Sequence, residues 1–224
     1  MSTTQWANEP FELLVAPDLP AGANSHSALH AAVEMSHAHN CLLRGLNAIM
    51  IQAPHIPSTG SPGYNESDVC DLLIYIQAWV KTVNHHHDVE ERIMFPSIEK
   101  MTGIEGLLSG ALHQHHEFHD GLNDLLRVVE GMQTAPAKYS WVDVKAIIDG
   151  FAPALVKHLR DEIGLILSLE RFDSEGLSSC WKKTQDVAKA NGKISFLVSL
   201  PMSFFRHYLS LDTHIFNAST YIYS

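Results

Sequence analysis

Histidine and carboxylate residues recur four apart along stretches of helical periodicity. No other feature restricts the possible folds of this chain as strongly. The pairs are His87-x3-Glu91, His115-x3-His119 and His158-x3-Glu162, preceded by His39-Asn40, and the run His85-His86-His87 feeds the first pair. Residues four apart stack on one face of an α-helix, so each pair projects two donor side chains in one direction. Helices packed together through those faces would gather the donors at one point.

The apolar pattern predicts such helices. The first stripe is Ala32, Ser36, His39, Leu43, Leu46 and Met50, on a helix from about Ser27 to Ile51. The second is Val69, Leu73, Ile76, Val80, Val83 and His87, starting near Ser67 and running past Glu91 to Met94, with Pro96 ending or bending it. Thr102-Gly103-Ile104-Glu105 reads as a capping box for a third helix with the stripe Leu108, Leu112, His115, His119, Leu122, Leu126 and Val129. Ser140-Trp141-Val142-Asp143 caps a fourth, with Val144, Ile148, Phe151, Leu155, His158, Glu162, Leu165 and Leu169; Pro153 is expected to kink it. Loops rich in Pro and Gly separate the segments. The expected fold is all-α, an antiparallel up-and-down four-helix bundle over residues 27–171. An irregular lead-in covers 1–26. A C-terminal extension covers 172–224, with a short helix over Ser178–Ala190, a turn at Asn191-Gly192 and an aromatic stretch from Lys193 without periodicity.

The donors fall where apolar residues belong. His39, His87, His115, His119, His158 and Glu162 occupy seam positions, and Glu91 lies beside the seam one turn after His87. Buried polar groups without partners are costly, and bound metal removes that cost. Histidine itself is in excess, 15 of 224 residues, about three times ordinary usage. Imidazole suits iron, zinc, copper or nickel, and carboxylates can bridge two ions. Seven donors exceed the need of one tetrahedral zinc. The surplus points to two metals bridged by Glu91 and Glu162. Glu90, four residues after His86, competes with Glu91, and Asp161 competes less well with Glu162; continuity of the stripe favours His87 with Glu91. His37, His85, His86, His113 and His116 fall off the seam and read as solvated or as standing behind the ligands. Tyr64, Tyr75 and Trp79 read as core.

Other classes are excluded by composition. A formal net charge of −10 disfavours nucleic-acid and anionic-membrane surfaces. No apolar run approaches the ~20 residues that span a bilayer. Met1–Phe11 has neither the basic nor the apolar region of a signal peptide. Cys41, Cys70 and Cys180 are odd in number and lack CxxC spacing, which fits reduced thiols in the cytoplasm and argues against iron–sulfur clusters and structural zinc. No CxxCH motif provides for covalent haem. Asn217-Ala218-Ser219 matches a glycosylation sequon by accident.

Taken together, His39-Asn40-Cys41-Leu42-Leu43-Arg44-Gly45-Leu46-Asn47, His87-Asp88-Val89-Glu90-Glu91 with Phe95-Pro96, His115-x3-His119 and His158-Leu159-Arg160-Asp161-Glu162 resemble the hemerythrin family in its HHE cation-binding branch, and fungal members in particular. The resemblance spans roughly 28–170. It implies a bundle holding a non-haem di-iron centre bridged by two carboxylates, with a position open to O2. Carried over by position, His39, His87, Glu91, His115, His119, His158 and Glu162 are its ligands. One departure stands out: the oxygen carriers of the family place an aspartate five residues after the last histidine, whereas position 163 here is Ile and the carboxylate is Glu162.

The leading functional expectation is a protein with two iron ions that binds O2 or a related diatomic ligand for sensing, storage or iron handling; manganese and zinc also tolerate these donors. A di-iron enzyme (peroxidase, NO-handling protein or oxidase) is the alternative, set behind because no catalytic acid or organic-cofactor motif accompanies the ligands. The third expectation is an interaction protein, zinc-bound or metal-free, that docks through its aromatic tail.

Overall fold

A computed structural model describes residues 7–20 and 25–190. Among them there are six α-helices and no strands: α1 (Ser27–Gln52), α2 (Glu66–Val89), α3 (Phe95–Thr102), α4 (Ser109–Gln133), α5 (Trp141–Leu167) and α6 (Ser174–Ala190). The expected turn at Asn191-Gly192, the aromatic stretch from Lys193 and the sequon lie outside the described residues.

Helices α1, α2, α4 and α5 form a closed ring. Contacts between neighbours run in opposite residue order. His39 meets His86 while the Leu42 carbonyl accepts from Trp79 Nε1, so α1 and α2 are antiparallel. Glu91 meets His115 while Gln77 meets Glu130, which sets α2 against α4. Gln114 meets Asp161 while Gly121 lies against Phe151, which sets α4 against α5. His39 meets Leu159 and Ala53 meets Tyr139, which sets α5 against α1. The bundle is therefore up-and-down, and the fold is all-α as the periodicity predicts.

Local chemistry explains the helix ends. Asn65 and Ser140 cap α2 and α5 by accepting from Ser67 N–H and Asp143 N–H. α5 runs unbroken through Pro153, which is exposed. The Thr102–Glu105 segment corrects its sequence reading: it ends a helix and does not begin one. Gly103 takes the left-handed conformation (φ 71°) and its N–H bonds the Glu99 carbonyl, closing α3. Helix α3 has no counterpart among the stripes read from the sequence. It continues α2 through one wide turn, Glu90–Met94, in which Phe95 N–H bonds the Glu90 carbonyl five residues back. Pro96, which has no N–H to donate, sits in the first turn of α3, where none is needed.

The core has two parts. One half of the bundle is filled by Leu43, Leu46, Leu72, Ile76, Trp79, Leu122, Leu125, Ile148 and Phe151 around the close approach of Gly45 to Trp79. At the other end Met35, Met94, Phe95, Ile98, Ile163 and Ile166 pack with Leu177 and Cys180 of α6. This helix is longer than expected and closes the bundle beside the wide turn. The described part of the lead-in, residues 7–20, lies along α1 as a strap. Asn40 bonds both the N–H and the carbonyl of Leu14, and Asn47, seven residues on, does the same for Phe11. No described helix is long and apolar enough to cross a membrane.

Candidate metal centre

Between the two parts of the core, polar side chains replace apolar ones. α1 supplies His39; α2 supplies His86 and His87; the wide turn supplies Glu90; α4 supplies His115; α5 supplies His158 and Glu162. These fall into two groups, His87–Glu90–His115–His158 and His39–His86–Glu90–Glu162, and within each group one donor atom per residue lies within 4.8 Å of the others. Glu90 belongs to both. All except the half-buried His86 are at most 5% exposed.

The hydrogen bonds behind the rings fix where the lone pairs point. A carbonyl or carboxylate only accepts, so the imidazole nitrogen facing it carries the proton. His39 Nδ1 donates to the Leu159 carbonyl at 2.8 Å, and His115 Nδ1 to Glu91 Oε1 at 2.7 Å. His158 Nδ1 donates to Gln114 Oε1 at 3.2 Å; the amide is oriented by its Nε2, which donates to Asp161 at 2.7 Å. Each of these rings thus turns its Nε2 inward. The Nε2 atoms of His115 and His158 stand 3.1 Å apart, and those of His39 and His86 3.0 Å apart.

Charge reinforces this arrangement. Burial lowers the pKa values of His86 and His115, that of His87 further, and that of His158 to about 3, so these rings are neutral at pH 7, the form that ligates metal. Burial raises Glu90, helped by the nearby Glu162 carboxylate. Burial works on Glu162 too, but the imidazoles around it, His39 first and then His158 and His86, outweigh it and hold this carboxyl below its ordinary value.

The donor set fits a pair of metal ions. Both carboxylate oxygens of Glu90 and Glu162, and both nitrogens of His87, are buried without a hydrogen bond of acceptable geometry. His86 Nε2 comes within 2.9 Å of Glu90 Oε1 and His39 Nε2 within 3.3 Å of Glu162 Oε2, close enough for charge contact. Lone pairs facing lone pairs across ~3 Å repel unless a cation lies among them. The absence of cysteine from both groups suits iron or manganese over a thiolate-loving metal.

Of the residues expected from sequence, His39, His87, His115, His158 and Glu162 are brought together. Glu91 and His119 are not. Glu91 is about one-third exposed and stands behind His115. His119 is exposed and meets Asn123. Glu90 and His86 take part instead, although the stripe set both aside. The signal for them was the adjacent pair His86-His87. Two consecutive helical residues point ~100° apart, and the residue four after the first lies ~40° from it, between the two. A centre that receives both histidines therefore receives Glu90 and leaves Glu91 to one side. For α4 the buried stripe is Ala111, His115, Phe118, Leu122, Leu125 and Val129. Leu112, His119 and Leu126 form a competing stripe one residue out of phase, and the larger apolar ring of Phe118 decides the phase. Asp161 stays at the surface, bonded to Lys157 and Gln114.

A cleft of about 480 Å³ opens between α2 and α4 onto one side of the centre. His87, His115 and Phe118 line its inner part, and Lys81, Asn84, His85, Asp88, Glu91 and His119 its walls and rim.

Fold and donors together define a four-helix bundle with a buried histidine–carboxylate cluster able to hold metal. The chain belongs to the hemerythrin family: residues 30–169 match the hemerythrin HHE cation-binding domain. It is also 35% identical over 211 residues to the dimeric xanthone biosynthesis cluster protein R11 of Cryptosporiopsis sp. (strain 8999), a match covering 91% of this chain and 76% of that relative. No solved structure matches it significantly.

Proposed function

We propose that this chain is a non-haem di-iron protein that binds O2 or a related small ligand. The observation that carries this reading is the position of Glu90, a buried carboxylate shared by two four-donor groups and lacking a proper hydrogen-bond donor of its own. His87, His115 and His158 would hold one ion, His39, His86 and Glu162 the other, with Glu90 between them. Bound iron would supply one-electron redox chemistry and affinity for O2. The chain's own residues do the rest. Glu91, Gln114 and the Leu159 carbonyl orient imidazoles, Phe95 and Phe118 keep water from the rings, and the α2–α4 cleft gives a route inward. All three cysteines are free, which supports a reducing, intracellular setting.

A second reading, an oxygen-dependent step in the assembly of an aromatic natural product, draws on the relative's name and on the cleft. Its volume falls within the ~300–1,000 Å³ of pockets for organic ligands and exceeds what a diatomic needs. The test of the first reading is metal content per chain after anaerobic Fe(II) loading and desalting, with optical spectra before and after O2. Two irons and oxygen-dependent near-UV and visible bands are expected. One zinc, or a metal-free chain with no spectral change, would overturn it. An aromatic substrate consumed only in the presence of iron and O2 would establish the second reading.

A further inference from the structure

The imidazoles of this centre are not equally secured. His39, His115 and His158 are each tied from behind through Nδ1, to the Leu159 carbonyl, to Glu91 and to Gln114. The last tie is itself braced, because Gln114 Nε2 donates to Asp161, which Lys157 also bonds. His87 has no such tie. Both of its nitrogens are buried and neither has a hydrogen-bond partner. Ring contacts alone hold it, with centroids 4.5 Å from His115, 4.9 Å from Phe118 and 5.1 Å from His158.

A hydrogen bond behind a metal-bound imidazole orients the ring and makes it a better donor. One metal ion can satisfy only one nitrogen of His87; the other stays buried and unpaired, an unfavourable state that a turn outward would relieve. The outward direction is available. His87 lines the α2–α4 cleft, whose walls carry the polar groups of Asn84, His85, Asp88 and His119.

We infer that His87 is the exchangeable donor of the centre: with metal bound, its ring would turn away from the group it shares with Glu90, His115 and His158 toward the α2–α4 cleft, and so admit an exogenous ligand from that side. The inference rests on the dinuclear reading above. It separates two jobs for neighbouring rings, with His115 and His158 retaining metal and His87 gating it.

The test compares full-length wild type with His87→Ala and His158→Ala. Each is loaded anaerobically with Fe(II), desalted, assayed for iron per chain and titrated with a competing chelator; azide is then titrated into the oxidised proteins. Circular dichroism verifies folding, and His87→Gln stands in if the alanine variant unfolds. His87→Ala is expected to keep two irons, to lose less than about tenfold in affinity and to bind azide on the order of tenfold more tightly, since no ring must be displaced. His158→Ala is expected to lose one iron or to weaken on the order of 100-fold. If wild type holds two irons while His87→Ala holds one, or binds azide no more tightly than wild type, the inference is overturned and the dinuclear reading stands. If wild type does not hold two irons, both fall.

Discussion

Glu90 and Glu91 approach the same imidazole from opposite sides. Glu90 Oε2 lies 3.6 Å from His115 Nε2, and Glu91 Oε1 lies 2.7 Å from His115 Nδ1. Consecutive residues thus divide the work of one candidate metal site, with Glu90 inside the donor group and Glu91 behind His115. The wide turn that starts at Glu90 makes this junction.

The two carboxylates should respond differently to removal of charge. Glu90→Gln takes away an oxygen donor common to both groups and is expected to reduce bound metal to one ion or none. Glu91→Gln keeps an acceptor oxygen near His115 Nδ1 and is expected to retain two ions with affinity weakened by about 10-fold to 100-fold. Metal analysis with chelator competition checks this; equal losses from the two variants would refute the division of roles.

His119→Ala is expected to leave metal content unchanged and stability within about 0.5 kcal/mol of wild type, because the side chain is exposed and meets only surface neighbours. Loss of a metal ion in this variant would show that the ring turns inward on loading.

Stability of the metal-free protein should peak near neutral pH. Burial depresses the folded-state pKa values of His86, His87, His115 and His158, the last to about 3, whereas in the unfolded chain they titrate near 6.5. As pH falls below 6.5 the unfolded chain takes up protons that the folded one refuses, so stability present above 6.5 is lost toward pH 3. Glu90 acts in the opposite sense. Its raised pKa keeps a proton on the folded form, and stability declines as pH rises above its ordinary 4.5. Below 6.5 four histidines outweigh one carboxyl; above it Glu90 lowers stability, joined at higher pH by the thiols of Cys41, Cys70 and Cys180, which burial also raises. Each group contributes at most ~1.4 kcal/mol per pH unit. Urea midpoints at pH 5, 7 and 9 test this, and a midpoint at pH 5 equal to that at pH 7 would contradict it. Saturating metal should flatten the acid side, since ligation holds the rings unprotonated.

Gly45→Ala should destabilise the bundle whether or not metal is bound. A Cβ there would stand 2.4 Å from Trp79 Cδ1, and Trp79 is fully buried with its Nε1 bonded to the Leu42 carbonyl. A cost of about 1–3 kcal/mol is expected from such overpacking, read as a lower urea midpoint with metal content unchanged. An unaltered midpoint would mean that α1 and α2 separate easily at this level.

What the sequence by itself determined was the four long helices of the bundle and the depth at which donors replace apolar residues. Both follow from periodicity: the seams through Leu43, Ile76, Leu122 and Ile148 must be buried, and His39, His115, His158 and Glu162 lie on them. What only the tertiary structure decided was the rotation of each helix by a single residue. Leu112 beside Ala111, His119 beside Phe118 and Leu126 beside Leu125 give α4 two nearly equal stripes, and His86 beside His87 leaves α2 similarly ambiguous. A helix face is about as wide as the angle between adjacent residues, so local spacing does not separate such neighbours. Packing does. Phe118 fills the space against His87 and His158 and turns His119 outward, while the ring of four helices admits both His86 and His87 and with them Glu90. The strap on Asn40 and Asn47 and the closure by α6 belong to the same class, because each depends on contacts between residues distant in the chain.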